Sequence, residues 1–133
     1  MTFIVSDLVK MEIFMTTVLD AKKVYDSGEN MFSISEERFF LVGDLWIGTM
    51  VGEALPTKTY NHIAFKIDNA DYDKYLNRVK SLGLELREGR SRVEGEGQSI
   101  YFYDYDNHLL ELHTGTLDER LERYAKPPSS PQG

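Results

Sequence analysis

The sequence predicts an α+β fold built from two βαβββ modules, and three features carry that expectation. The order strand, helix, three strands begins at Thr2 and begins again near His62. Laying Val5-Ser6-Asp7 on Ile67-Asp68-Asn69 gives an offset of 62, so each unit takes roughly half of the folded chain, as an internal duplication would. Apolar residues also recur at helical spacing in the expected helices and alternate in the expected strands. Identity between the halves is weak, so the repeat rests on the order of elements.

Residues Thr2 to Val5 are β-prone, and Ser6 with Asp7 supplies an N-cap for a helix whose Leu8, Met11, Phe14, Met15 and Val18 share one face. Strands are expected at Lys23 to Tyr25, Met31 to Ile34 and Phe39 to Met50, the last being one long strand or two. Asp26-Ser27-Gly28 and Gly43-Asp44 supply the turns. In the second unit Ile63, Phe65 and Ile67 alternate as a half-buried strand. Asp68 or Asn69 then caps a helix carrying Tyr72, Tyr75, Leu76, Val79 and Leu82, which Gly83 stops. Strands Leu84 to Arg87, Ser99 to Tyr103 and His108 to Thr114 follow, the last two joined by an Asp104-Tyr105-Asp106-Asn107 turn. Leu117 to Ala125 closes as a short helix. The organisation is one domain over 1–126, with module one about 1–55, module two about 60–116 and a C-terminal helix 117–125. The Pro/Ser/Gly composition of 127–133 predicts a disordered tail.

The 133 residues, 41% hydrophobic, suffice for one packed core. No apolar run of membrane-spanning length and no secretory pattern occurs, so a cytoplasmic protein with no membrane partner is expected. The absence of cysteine excludes thiolate ligands and a cysteine nucleophile, which leaves histidine, carboxylates, hydroxyls or a bound metal for any chemistry. A net charge of -7 argues against nucleic acid, whose binders need a basic face.

A four-stranded sheet with a helix on one face leaves the other open, and two such sheets can pair into a cup. By alternation His62 and Ala64 join Leu109, Glu111 and His113, and Ser99, Tyr101 and Tyr103, on the open face of the second sheet, while Leu110 and Leu112 go under the helix. Imidazole and carboxylate converging there suit a divalent ion such as manganese, iron or zinc. Spacing alone does not separate that reading from a hydrogen-bonded sheet histidine beside a solvated carboxylate.

The segments Tyr60-Asn61-His62-Ile63-Ala64-Phe65, Glu94 to Phe102, Asp106 to Leu117 and Gly43-Asp44-Leu45-Trp46 together resemble the fosfomycin-resistance proteins of the vicinal-oxygen-chelate superfamily, most of all the subgroup that hydrolyses the antibiotic's epoxide. The resemblance runs from Thr2 to about Tyr124. It implies paired βαβββ modules exchanged across a homodimer, and a divalent metal, Mn2+ foremost, held by two His and one Glu. His62 and Glu111 take two of those places. The third belongs to a His opening the first strand, and the offset of 62 puts it immediately before Met1. Either a start further upstream or a variant site accounts for that. His113, two residues from Glu111, is a weaker substitute than a supporting group, and His108 is expected to be structural or solvated.

The same resemblance implies metal-assisted opening of a small phosphonate epoxide by water to an inactive diol, with Glu37, in the loop after the first module's third strand, as general base. Glu36 and Glu37 as surface charges of a turn is the plainer alternative. Thr2, Ser99, Tyr101 and Arg120 match phosphonate- or oxygen-binding positions, Trp46 looks like an apolar wall, and Tyr60 and Tyr103 look like supporting groups. Arg90 or Arg92 is a further candidate cation. The competing functions are thiol transfer to fosfomycin, which has no need of Glu37, metal-free drug binding on the same fold, and action on another small epoxide or oxyanion.

Overall fold

The computed structural model describes residues 1–31, 34–87 and 97–126. Its elements are β1 (Thr2–Val5), α1 (Leu8–Val18), β2 (Lys22–Asp26), β3 (Glu37–Val42), β4 (Leu45–Val51), β5 (His62–Lys66), α2 (Tyr72–Ser81), β6 (Leu86–Arg87), β7 (Ser99–Tyr103), β8 (Leu109–His113) and α3 (Leu117–Ala125). Sheet A has the order β1-β4-β3-β2 and sheet B the order β5-β8-β7-β6. The two orders are the same word written twice, with a parallel pair, β1 with β4 and β5 with β8, at the head of each. That agreement supports the duplication inferred from the order of elements.

Local chemistry explains most boundaries. The Asp7 carboxylate accepts a hydrogen bond from the Lys10 amide at 3.0 Å and so caps α1, whose Leu8, Met11, Phe14, Met15 and Val18 are all buried. Gly83, at φ +66°, lets the chain leave α2 in the left-handed conformation that costs a side chain dearly. Thr116 caps α3 by accepting from the Glu119 amide at 3.1 Å.

Four expectations need correction. Of the two alternatives for Phe39 to Met50 the structure takes two strands, but the first of them, β3, starts earlier than expected, at Glu37, because its backbone pairs with β4 from Met50 onward. Glu37 therefore opens a strand and does not lie in a loop. Met31 and Ile34 are outside any strand, and the intervening residues 32–33 fall outside the described ones. A 3-10 turn, Asn69–Asp71, precedes α2, and neither Asp68 nor Asn69 caps the α-helix through its side chain. The strand expected at Leu84 to Arg87 shortens to Leu86–Arg87. The expected tail 127–133 lies outside the described residues.

One apolar cluster joins the helix sides of both sheets: Phe3, Val5, Phe40 and Ile47 from sheet A meet Ile67, Ile100, Phe102, Leu110 and Leu112 from sheet B around α1 and Val79 of α2. Phe14 and Phe102 have ring centroids 6.0 Å apart across this junction. Both sheets thus spend the same face on the shared core. Their open faces are turned to the outside of it, where Ile4 and Trp46 of sheet A remain 40% and 59% exposed.

The β7–β8 turn ties the modules together. Asp104 organises it by accepting from the amides of Asp106 and His108, both at 2.9 Å, while its other oxygen meets His108 Nδ1 at 2.7 Å. Asn107, at φ +70°, completes the reversal. Asp106, 1% exposed, then accepts from the Ser6 amide at 3.0 Å through its side chain and from the Leu55 amide at 3.1 Å through its backbone. His108 is accordingly a structural residue, edge-on to Phe3 at 4.9 Å. Asp106→Ala strands a partly buried amide, so urea unfolding should show a loss of about 1–3 kcal/mol. A midpoint equal to that of the parent would mean this tie contributes nothing.

Candidate metal centre

Strand register brings the second module's polar residues into three rows across sheet B. His62 faces Leu109 and Tyr103, Ala64 faces Glu111, Tyr101 and Arg87, and Lys66 faces His113 and Ser99. Neighbours within a row are one strand spacing apart, roughly 5 Å. Alternation along β5, β7 and β8 is therefore enough to gather the site, because β8 lies between the other two.

The hydrogen bonds give each group a direction. His62 Nδ1 lies 2.8 Å from the Tyr60 carbonyl oxygen, which only accepts, so this nitrogen carries the proton. His62 Nε2 then faces Glu111 Oε1 at 3.1 Å. Nε2 and Oε1 thus form a facing nitrogen and oxygen donor pair that a cation can bridge. The other carboxylate oxygen is held separately: Ser99 Oγ is 2.6 Å from Glu111 Oε2 and 2.6 Å from His113 Nδ1. A single hydroxyl proton allows one sense, with His113 donating to Ser99 and Ser99 donating to Glu111. His113 thus supports Glu111 through Ser99. The carboxylate is 7% exposed and keeps Oε1 for a ligand.

This donor set fits a divalent ion of the manganese or zinc type, since one imidazole with its tautomer fixed and one carboxylate braced on its far side converge. Among the described residues no group of three His, Asp or Glu is arranged to hold a metal, so His62 and Glu111 are the two candidate ligands on this sheet.

Tyr101 closes the site. Its ring stacks on Tyr60 at 6.1 Å and stands edge-on to His62 at 5.5 Å. Burial first, then the Tyr60 hydrogen bond and the Glu111 charge, push its phenol well above the usual tyrosine range. It therefore stays a neutral hydroxyl through the physiological range.

The residues expected to act together fall into two groups. His62, Glu111, Ser99, Tyr101 and Tyr60 converge on sheet B. Thr2, Glu37 and Trp46 occupy the open face of sheet A: Thr2 pairs with Gly48, Glu37 with Met50, and Trp46 meets Phe39 at 5.2 Å. Among the described residues no hydrogen bond, ion pair or ring contact joins the two groups. Glu37 is buried, 9% exposed, with its amide held by Ser27 Oγ at 2.9 Å, so the surface-turn alternative fails. Arg120 lies on α3 with Nη1 3.1 Å from Tyr124 Oη. Arg90 and Arg92 lie outside the described residues. The sequence reading missed Arg87 as a neighbour of the site; its pairing with Tyr101 was the signal, and that pairing depends on the register of a two-residue strand.

Residues 1–112 match the family described as Glyoxalase/Bleomycin resistance protein/Dioxygenase superfamily. The chain is 60% identical over 126 residues to the fosfomycin resistance protein FosX of Mesorhizobium japonicum, covering 95% of this chain and 91% of that one. It is 57% identical over 125 residues to FosX of Listeria innocua, covering 94% of each. A crystal structure of a mutant FosX from Listeria monocytogenes, complexed with Mn(II) and 1S,2S-dihydroxypropylphosphonic acid, superposes with a TM-score of 0.83 at 50% identity, covering 92% of this chain and 93% of that chain. On this fold, this sheet register and this likeness, the chain belongs to the glyoxalase and bleomycin-resistance superfamily and, within it, to the FosX fosfomycin-resistance proteins.

Proposed function

We propose that the protein confers fosfomycin resistance by hydrolysing the drug's epoxide to an inactive diol in a Mn2+-dependent reaction. The observation that carries this is the facing pair His62 Nε2 and Glu111 Oε1, 3.1 Å apart on an open sheet face, in a chain 60% identical to a FosX protein. The Mn(II) and diol phosphonate bound to the Listeria monocytogenes neighbour name the metal and the product.

His62 and Glu111 hold the ion, which when bound supplies positive charge to an oxygen that becomes anionic as its bond to carbon breaks. Ser99 and His113 keep Glu111 oriented. Tyr101, as a neutral phenol, donates to an oxygen of the substrate, and Thr2 and Arg120 add donors for its anionic end. Glu37 accepts a proton from water as the water oxygen attacks an epoxide carbon. The carbon-oxygen bond opens, and the resulting alkoxide takes a proton to complete the diol.

Since the shared core turns the two open faces apart, a cup containing both Glu37 and Glu111 needs two copies of the chain, sheet A of one closing over sheet B of the other. A homodimer follows, and its apolar contact covers Ile4 and Trp46. No helix among the described residues is long and apolar enough to cross a membrane. We read the protein as cytoplasmic, with a small phosphonate epoxide and water as its partners.

The deciding experiment incubates metal-stripped protein, and the same chain carrying a His before Met1, with fosfomycin and no thiol. Diol should appear on adding Mn2+, faster with the added His, and stop with chelator. A requirement for thiol would convert the reading to a transferase; unchanged drug binding in chelator, with no turnover, would convert it to a drug-binding protein.

A further inference from the structure

Arg87 ends β6 on the open face of sheet B, in register with Tyr101 and two strands from Glu111, roughly 10 Å away. None of the described carboxylates pairs with it. Its guanidinium Nη1 donates to Tyr103 Oη at 2.8 Å, and its Cζ lies 4.9 Å from the centre of the Tyr60 ring. A planar cation over a tyrosine face, fixed at one corner by a hydroxyl, holds that ring in place. The held ring matters because of what else Tyr60 does. It stacks on Tyr101, lies 5.0 Å from the His62 ring, and its carbonyl accepts from His62 Nδ1.

Among the described residues two other cations lie near this face, and neither touches Tyr60: Lys66 is bonded to the carbonyls of Thr114 and Ile67 at 2.9 and 3.3 Å, and Lys58 is paired with Glu85 at 3.3 Å and lies over the Tyr103 ring at 5.3 Å. Tyr60 itself lies outside the regular strands and is 52% exposed in a single chain. Without a clamp, nothing in its own backbone pairing would hold its carbonyl against His62.

We propose that Arg87 is a positioning residue for the metal centre, acting through Tyr60: it pins the ring, the pinned ring keeps the Tyr60 carbonyl on His62 Nδ1, and that bond keeps Nε2 directed at Glu111. The inference rests on the metal reading given above and adds a residue that touches neither metal nor substrate. Groups that orient a metal-bound histidine usually matter by about 10–100-fold in affinity, which sets the scale.

The test titrates Mn2+ into the full chain and into Arg87→Ala, Tyr60→Ala and the double variant, following the free ion by electron paramagnetic resonance, with thermal melting of each metal-free protein alongside. Each single variant should bind Mn2+ about tenfold more weakly with an unchanged melting temperature, and the double variant should be no weaker than Tyr60→Ala, because both changes break one chain of contacts. Wild-type affinity in Arg87→Ala, or losses that multiply in the double variant, would overturn the role of Arg87 while leaving the metal reading intact. Failure of the parent chain to bind Mn2+ would strike the metal reading itself.

Discussion

Glu37→Gln is expected to slow diol formation by about 10²–10⁴-fold while leaving Mn2+ affinity and the fold as they are. The amide has nearly the shape of the carboxylate but cannot take a proton from water at neutral pH. The fold should tolerate the change because the contacts that seat this residue are made by its backbone: the amide to Ser27 Oγ at 2.9 Å, the carbonyl to the Ser27 amide at 3.0 Å, and the ladder to Met50. Metal binding should also be spared, since no described contact links Glu37 to His62 or Glu111. The rate of diol formation followed by phosphorus NMR at saturating drug separates turnover from drug binding. Turnover near the parent rate would remove Glu37 from the mechanism.

His62→Ala should do something different: lose the ion, and activity with it. The expected fall in Mn2+ affinity exceeds the roughly 10–100-fold typical of removing a supporting partner, because a direct ligand goes and Glu111 alone remains on this sheet. Calorimetric titration with Mn2+ reads this directly. The substitution removes a ring that is 25% exposed and bonded outward to Tyr60, so little of the core is disturbed. An unaltered Mn2+ affinity would show that the facing pair is an ordinary histidine-carboxylate contact. Taken together the two variants dissociate the roles, one keeping metal without water activation and the other losing metal.

Much of the site was legible because its logic is local. Alternation along β5 and β8 puts His62 and Glu111 on the same face as soon as the two strands are recognised, and β7 brings Ser99 and Tyr101 to that face by the same rule. The chain from His113 through Ser99 to Glu111 was less legible, as it depends on the diagonal and cross-strand register of β7 with β8. The strand position of Glu37 was not legible: the flanking Ser35-Glu36 carries no strand signal of its own and reads as a loop, whereas β3 already pairs with β4 there. Arg87 escaped because a strand of two residues has no periodicity to read.

The amino-acid order by itself determined the two βαβββ modules, the buried faces of α1 and α2, and the open-face membership of His62, Glu111, Ser99 and Tyr101, all of which follow from side-chain periods of 3.6 and 2 within single elements. Only the tertiary structure decided how the modules meet. It joined their helix sides in one core, stapled by Asp106 to Ser6, and so turned the face with Glu37 away from the face with Glu111. Periodicity says which side of a sheet is apolar; it does not say which other apolar side will cover it, because that choice is made by contacts between residues as much as 100 positions apart.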